Sequence, residues 1–145
     1  MKNLDDKISG IHVWLVLAKA ARVLEGEATR SIAGLGMCIS DFGALEVLLH
    51  KGPLPVNTLG RKLLLTSGSA TIAIDRLEKR GLVERRSDPE DRRARIVRLT
   101  ASGRRLIQGA FDSHAADMEK VVSVLTPPER EALVSSLKKL GKGEV

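Results

Sequence analysis

The chain has a single cysteine, Cys38, no tyrosine, and three aromatic residues in all, Trp14, Phe42 and Phe111. One cysteine forbids an intrachain disulfide and cannot build a cysteine-based zinc site, so the composition fits a reducing compartment and excludes a disulfide-stapled scaffold. Three dispersed aromatics leave no stacking platform for single-stranded nucleic acid. The run Val13 to Ala18 is far shorter than the roughly 20 apolar residues a membrane span needs. The opening MKNLDDKISG carries two Asp and no long apolar stretch, so a cytoplasmic protein with no membrane partner is expected. Catalytic signatures are missing as well: His12, His50 and His114 are scattered, and no HExxH, GxSxG or glycine-rich phosphate loop occurs. No enzyme, metal or cofactor is expected.

What remains is a chain of 145 residues, 43% hydrophobic and 29% charged with only 5 prolines, long and apolar enough to close one core. Its net charge of +6 is unevenly placed. Arg76 to Arg105 holds 11 basic and 5 acidic residues, the whole of the excess, leaving 13 of each sign elsewhere. So concentrated a basic stripe is the electrostatic footprint of a polyanion partner, a solvated charged face being the competing reading.

Hydrophobic periodicity orders the elements. From Lys7 to Glu27, Ile11, Leu15, Ala18 and Arg22 fall on one helical stripe, and Trp14, Leu17, Ala21 and Leu24 on its neighbour. Two apolar stripes exceed what one small core covers, which predicts a second chain against this helix. Gly34 and Gly36 break it. Ser40 is expected to cap a second helix carrying Phe42, Leu45, Val47, Leu48 and Leu49, which Gly52 and Pro53 stop. A short helix near Val56 to Leu63, a turn at Leu64 to Thr66, and a helix from Ser67 to Arg80 follow, with Gly81 as the stop. In that last helix Ile72, Ile74 and Leu77 are expected to face inward, while Ser67, Gly68, Ser69 and Thr71 are small and polar, suited to close approach to a surface.

Leu82 to Arg86 and Ala94 to Leu99 read as strands of an antiparallel hairpin, with Val83 and Ile96 toward the core and Leu82 and Leu99 near it. Between them SDPEDRR makes a charged, projecting tip bearing Arg92 and Arg93. Thr100 opens a long helix through Val124 carrying Leu106, Ala110, Met118, Val121 and Leu125. Thr126-Pro127-Pro128-Glu129 then makes a capping box for a final helix with Leu133, Leu137 and Leu140. The expected fold is mainly α with a small β-hairpin wing. It is a winged helix-turn-helix, in which the second helix of the pair enters the major groove and the wing approaches the adjacent minor groove, flanked by long dimerisation helices.

From Ile39 to Ile107 the chain resembles the MarR family of bacterial regulators. The stretch LTSGSATIAIDRLEKRGLVERRSDPEDRRARIVRLTASGRRL, with its D-R-L-E-x-x-G-x-V-x-R helix end and DPxDRR wing, carries the likeness, and the flanking helices extend it over nearly the whole chain. The resemblance implies segments 1–35 and 101–145 as dimerisation elements around a DNA-binding domain at 36–100. It also implies a homodimer on a pseudo-palindromic operator of double-stranded DNA.

Ser67, Gly68, Ser69 and Thr71 then stand where hydroxyls and helix-terminal amides reach phosphates and base edges, plain capping being the competing role. Arg93 matches the family's minor-groove arginine, next to Arg92, with Asp91 as its positioning partner. Arg76 could pair with an acid of the wing, reach a phosphate, or form a surface ion pair.

The family also implies a small-molecule effector, aromatic or phenolic, bound between the dimerisation helices and the winged domain. His12, Trp14, Leu15, Phe42 and His114 are the candidates, with ordinary packing as the alternative. Cys38, just ahead of a helix, is a candidate redox switch or else a small buried hydrophobe. The cysteine of the peroxide-sensing branch is missing from the first helix, and no tyrosine is present to bond a thiolate. The expected function is a sequence-specific repressor released from its operator by an aromatic effector or an oxidant. The alternatives are a helical interaction module without DNA binding and a Cys38-based redox regulator.

Overall fold

The computed structural model describes residues 8–141. The Lys7 start expected for the first helix, and the outer ends of segments 1–35 and 101–145, fall outside the described residues. Six α-helices run α1 Gly10–Ile32, α2 Ile39–Lys51, α3 Val56–Lys62, α4 Ser67–Lys79, α5 Ala101–Val122 and α6 Pro127–Leu140. Three short strands, β1 Leu54–Pro55, β2 Val83–Ser87 and β3 Arg95–Leu99, form an antiparallel sheet in the order β1-β3-β2. Among these residues no single helix is long and apolar enough to cross a membrane.

The core gathers around α2, whose Phe42, Ala44, Leu45 and Leu48 are buried against Leu59, Ile74, Leu77, Val83, Val97 and Ile107. Each large side chain removed from water here stabilises the fold by roughly 1.5–3 kcal/mol. α1 runs alongside α5 and reaches this core only through Ile32. Of its other apolar residues, Ile11, Trp14, Leu15, Val16 and Val23 are more than half exposed.

Local chemistry sets most boundaries where the sequence predicts them. Thr66 caps α4, accepting the Ser69 backbone N–H at 3.1 Å, and Gly81 ends it with φ of +70°, a left-handed turn that glycine adopts at no steric cost. Thr100 caps α5 through the Gly103 N–H. At α6 the capping box forms, Glu129 accepting the Thr126 backbone N–H at 2.8 Å. That bond, with one from the Thr126 side chain, holds the Glu129 carboxyl below the usual glutamate range.

Other expectations need correction. α1 continues past Glu27 to Ile32, and α5 stops at Val122 with Val124 exposed beyond it. α2 starts one residue before Ser40, so its cap is Cys38, which makes no side-chain capping bond. In α4 the buried stripe is Ala70, Ala73, Ile74 and Leu77, and Ile72 faces outward. The small alanines complete the inward face at three- and four-residue spacing, which leaves Ile72 about half a turn away. In β3 the core residue is Val97, with Ile96 only partly buried. β3 is the central strand, pairing Val97 with Leu54 on one side and Arg85 on the other. β1 itself is two residues long and ends in proline, too short to show a period in sequence.

The turn between α3 and α4 holds a conformational penalty. Leu64 adopts φ of +55°, and the residue is 87% exposed. A left-handed L-residue costs roughly 1–2 kcal/mol. Little burial is lost on truncation here, and glycine's greater unfolded-state entropy offsets part of the gain. Leu64→Gly is therefore expected to raise stability by about 0.5–1 kcal/mol in urea unfolding, and a loss of stability would refute the assignment of strain.

Candidate nucleic-acid interface

The outward face of α4 begins with Ser67, Gly68 and Ser69, all exposed, followed by Thr71 and Ile72. Several of its hydroxyls are engaged locally. Thr66 Oγ1 donates to Ser69 Oγ at 3.0 Å, and Thr71 Oγ1 donates to the Ser67 carbonyl at 2.9 Å. Ser69 is thus part of the cap as well as of the exposed surface. No acidic residue lies in the first turn to oppose an anion at this helix end.

The wing stands beside this face. Its tip is closed by the Asp88 N–H donating to the Ala94 carbonyl at 3.1 Å, and by two side-chain turns in which Asp88 accepts the Glu90 N–H and Asp91 accepts the Arg93 N–H. Asp91 therefore positions Arg93 through its backbone, at 3.0 Å, leaving the guanidinium free of that carboxylate. Arg92 and Arg93 are exposed and form no ion pair among the described residues. Thr71 of α4, Asn57 of α3, and Asp91, Arg93 and Arg95 of the wing line one concavity of about 450 Å³.

Arg85, half-buried in β2, holds wing and helix in this relation. It bonds Asp75 at 2.5 Å and Glu78 at 3.1 Å, both on α4. The Arg85 side chain pulls the Glu78 carboxyl below its ordinary range, and Glu78 raises the guanidinium in turn. Sequence reading passed over Arg85 and Asn57. The signal for Arg85 was present: it shares the Val83 face of β2, and two acids lie one turn apart on the preceding helix.

Arg76 does not pair with an acid of the wing. Its Nε and Nη2 donate to the two carboxylate oxygens of Asp41 on α2, at 3.0 and 2.7 Å. The Asp41 side chain is only 7% exposed while that of Arg76 is 48% exposed. The hydrogen bonds to Asp41 raise the Arg76 pKa further above its already high value. Other basic residues of the stripe are also held internally: Arg98 and Arg86 by Glu84, and Arg80 by the Leu35 and Gly36 carbonyls. Of the eleven basic residues of the stripe, Lys79, Arg92, Arg93, Arg95, Arg104 and Arg105, besides Arg80, form no ion pair among the described residues, three of them on the wing.

The five effector-pocket candidates do not converge in this chain. Phe42 is buried and meets His114 edge-on, ring centroids 4.8 Å apart, with Ser31 bonding both His114 Nδ1 and Asp117 at the junction of α1, α2 and α5. His12 lies in a separate apolar groove between α1 and α6. Trp14 and Leu15 stand 62% and 55% exposed on α1. Four-residue stripes on a helix show a shared face, but not which neighbour that face meets. Cys38 is exposed, contrary to the buried alternative, with Sγ 3.1 Å from Ser40 Oγ and 3.8 Å from Arg76 Nη2. Among the described residues no cluster suited to a metal ion occurs.

A helix pair with an exposed second helix, a basic hairpin tied to it and a three-strand sheet define a winged helix-turn-helix protein. Residues 35–94 match the model of the MarR family. The HTH-type transcriptional regulator MhqR of Bacillus subtilis is 35% identical over 131 residues, covering 90% of each chain. Among solved structures, the BpsR regulator of Bordetella bronchiseptica superposes with a TM-score of 0.82 at 25% identity, over 89% of this chain and 92% of that one. Mutant MarR of Escherichia coli, complexed with operator DNA, shares the fold at a TM-score of 0.83 and 22% identity, over 94% and 99%. This chain belongs to the MarR family and is a DNA-binding transcription regulator. Its relatives' shared role as regulators points away from catalysis.

Proposed function

We propose that the protein is a homodimeric repressor of a pseudo-palindromic operator, with α4 in the major groove and the wing arginines at the adjacent minor groove. The observation that carries this reading is the shared concavity of Thr71 and Arg93, kept in register by the Arg85 clamp. Ser67, Gly68, Ser69 and Thr71 supply amides and hydroxyls, Arg92 and Arg93 supply charge, and Asp91 sets the Arg93 backbone. Arg76 acts indirectly, by fixing α4 against α2. The apolar residues left open on α1, with Leu133, Val134 and Leu140 of α6, support dimerisation through segments 1–35 and 101–145 around a DNA-binding domain at 36–100. Two such domains on one duplex place half-sites about one helical turn, some 10 to 10.5 base pairs, apart.

Arg93→Ala tests the wing. Operator affinity is expected to fall, and the slope of log affinity against log salt to flatten by about one unit for each wing engaged. Equal affinity and slope in the variant would remove Arg93 from the interface.

Release by a small aromatic effector is the preferred switch. DNA binding by the Bordetella relative is regulated by 6-hydroxynicotinic acid, and a ligand favouring one spacing of the two α4 helices would shift affinity in the same way. The position of Cys38 favours a second reading. Exposed and in contact with Arg76, the thiol on oxidation would disturb the pair that seats α4 on α2. With Cys38→Ser, release by aromatic compounds is expected to persist. An oxidant response present in the wild type and lost in the variant, with aromatics inert on both, would establish the thiol route instead.

A further inference from the structure

Resting on the reading of α4 as the major-groove helix, we propose that Ile72 recognises the methyl groups of thymines, so that the operator is selected by apolar contact. Ile72 is 56% exposed and is the one large hydrophobic residue of α4 that faces solvent. Isolated exposed hydrophobes are common on protein surfaces; the surroundings of this one give it a use.

One turn earlier on the same face is Gly68, where an added Cβ would meet nothing within 4 Å, so bare backbone lies beside the isoleucine and a groove floor can come close. Between Ser67 and Asp75 there is no Arg, Lys, Asn or Gln, the side chains that read guanine and adenine through paired hydrogen bonds. The next long polar side chain, Arg76, is held by both carboxylate oxygens of Asp41, and Asp75 is held by Arg85. The Thr71 hydroxyl proton is committed to the Ser67 carbonyl, and Ser69 Oγ receives Thr66.

Between Ser67 and Asp75 direct hydrogen-bond readout is thereby reduced to a few short hydroxyls, while the largest outward side chain of that stretch is aliphatic. In the major groove the thymine methyl is the apolar feature that distinguishes a base pair. Half-sites should accordingly present thymine opposite Ile72.

The test uses the full-length chain and a duplex recovered with it by selection from a randomised library. Each thymine is replaced in turn by deoxyuridine, which removes the methyl and keeps the base pairing. For the wild type, particular thymines in each half-site should show about fourfold weaker binding on replacement, the value for withdrawing one buried methyl group. Ile72→Ala should bind the unmodified duplex more weakly and lose the deoxyuridine effect at those positions, whereas Arg93→Ala should retain it. Because Ile72 is exposed, the alanine variant should keep the wild-type circular dichroism and unfolding midpoint.

Sensitivity that is the same in wild type and Ile72→Ala, or absent at every thymine, would overturn the inference while tight duplex binding leaves the regulator reading intact. Failure to enrich any duplex would overturn both.

Discussion

Replacing Gly103 with alanine is expected to destabilise the protein by about 2 kcal/mol, against the direction that helix propensity alone predicts. Alanine is favoured over glycine inside a helix by about 1 kcal/mol. At this position, however, the first turn of α5 lies directly on the chain segment that leads from α4 into β2. The Thr100 N–H donates to the Leu82 carbonyl at 3.1 Å, and the Gly103 N–H donates to Thr100 Oγ1 at 3.0 Å. A Cβ on Gly103 would stand 2.8 Å from the Leu82 carbonyl carbon and closer still to its oxygen. Backbone cannot rotate out of the way as a side chain can, so the junction must separate. Overpacking of this kind typically costs about 1–3 kcal/mol and occasionally more, enough to exceed the propensity gain.

Gly109, on the same helix with nothing within 4 Å of its would-be Cβ, is the control. Gly109→Ala should stabilise by up to about 1 kcal/mol. Denaturant unfolding at one fixed protein concentration reads both. Stabilisation by Gly103→Ala would show that the close approach of Leu82 does not persist in solution.

The Asp41–Arg76 pair should respond asymmetrically to the removal of either partner. Arg76→Ala leaves a carboxylate in a nearly closed site with no cation. A fully buried pair broken this way loses about 3–5 kcal/mol, and solvent access on the arginine side reduces the expectation to about 2–3 kcal/mol. Asp41→Ala leaves a half-exposed guanidinium that can turn into water, for about 1 kcal/mol. The double variant should be more stable than the sum of the single losses implies, because the stranded carboxylate is gone. On DNA, Arg76→Ala should weaken binding through the seating of α4 and leave the salt slope unchanged. A slope flattened by about one unit would instead make Arg76 a phosphate contact. Equal costs for the two single variants would contradict the burial difference from which the prediction starts.

The Thr126 box, the Gly81 stop and the bounds of α4 are legible because their causes lie within three or four residues of each other: a hydroxyl reaching an amide, a carboxylate reaching back, a glycine able to take positive φ. The concentration of charge between Arg76 and Arg105 is legible because it needs only counting, and the DPEDRR tip because turn chemistry is local.

Ile72 faces outward, against the sequence expectation, because α4 completes its buried stripe with alanines, whose part in the core depends on how closely α4 packs. Val97 takes the inward place in β3 because the register with β1 and β2 selects one of two phases that the sequence leaves equivalent. The effector-pocket candidates scatter for the related reason that a face on α1 says nothing about whether α5, α6 or a second chain meets it.

From the sequence alone came the element order, most helix ends, the basic wing and the resemblance to DNA-binding regulators, since propensity, capping and charge act over a few residues. The tertiary structure decided which of eleven basic residues remain free. It set Arg76 on Asp41 across 35 positions and Arg85 on α4, because ion pairing in a fold depends on distance through space and on which groups water can still reach.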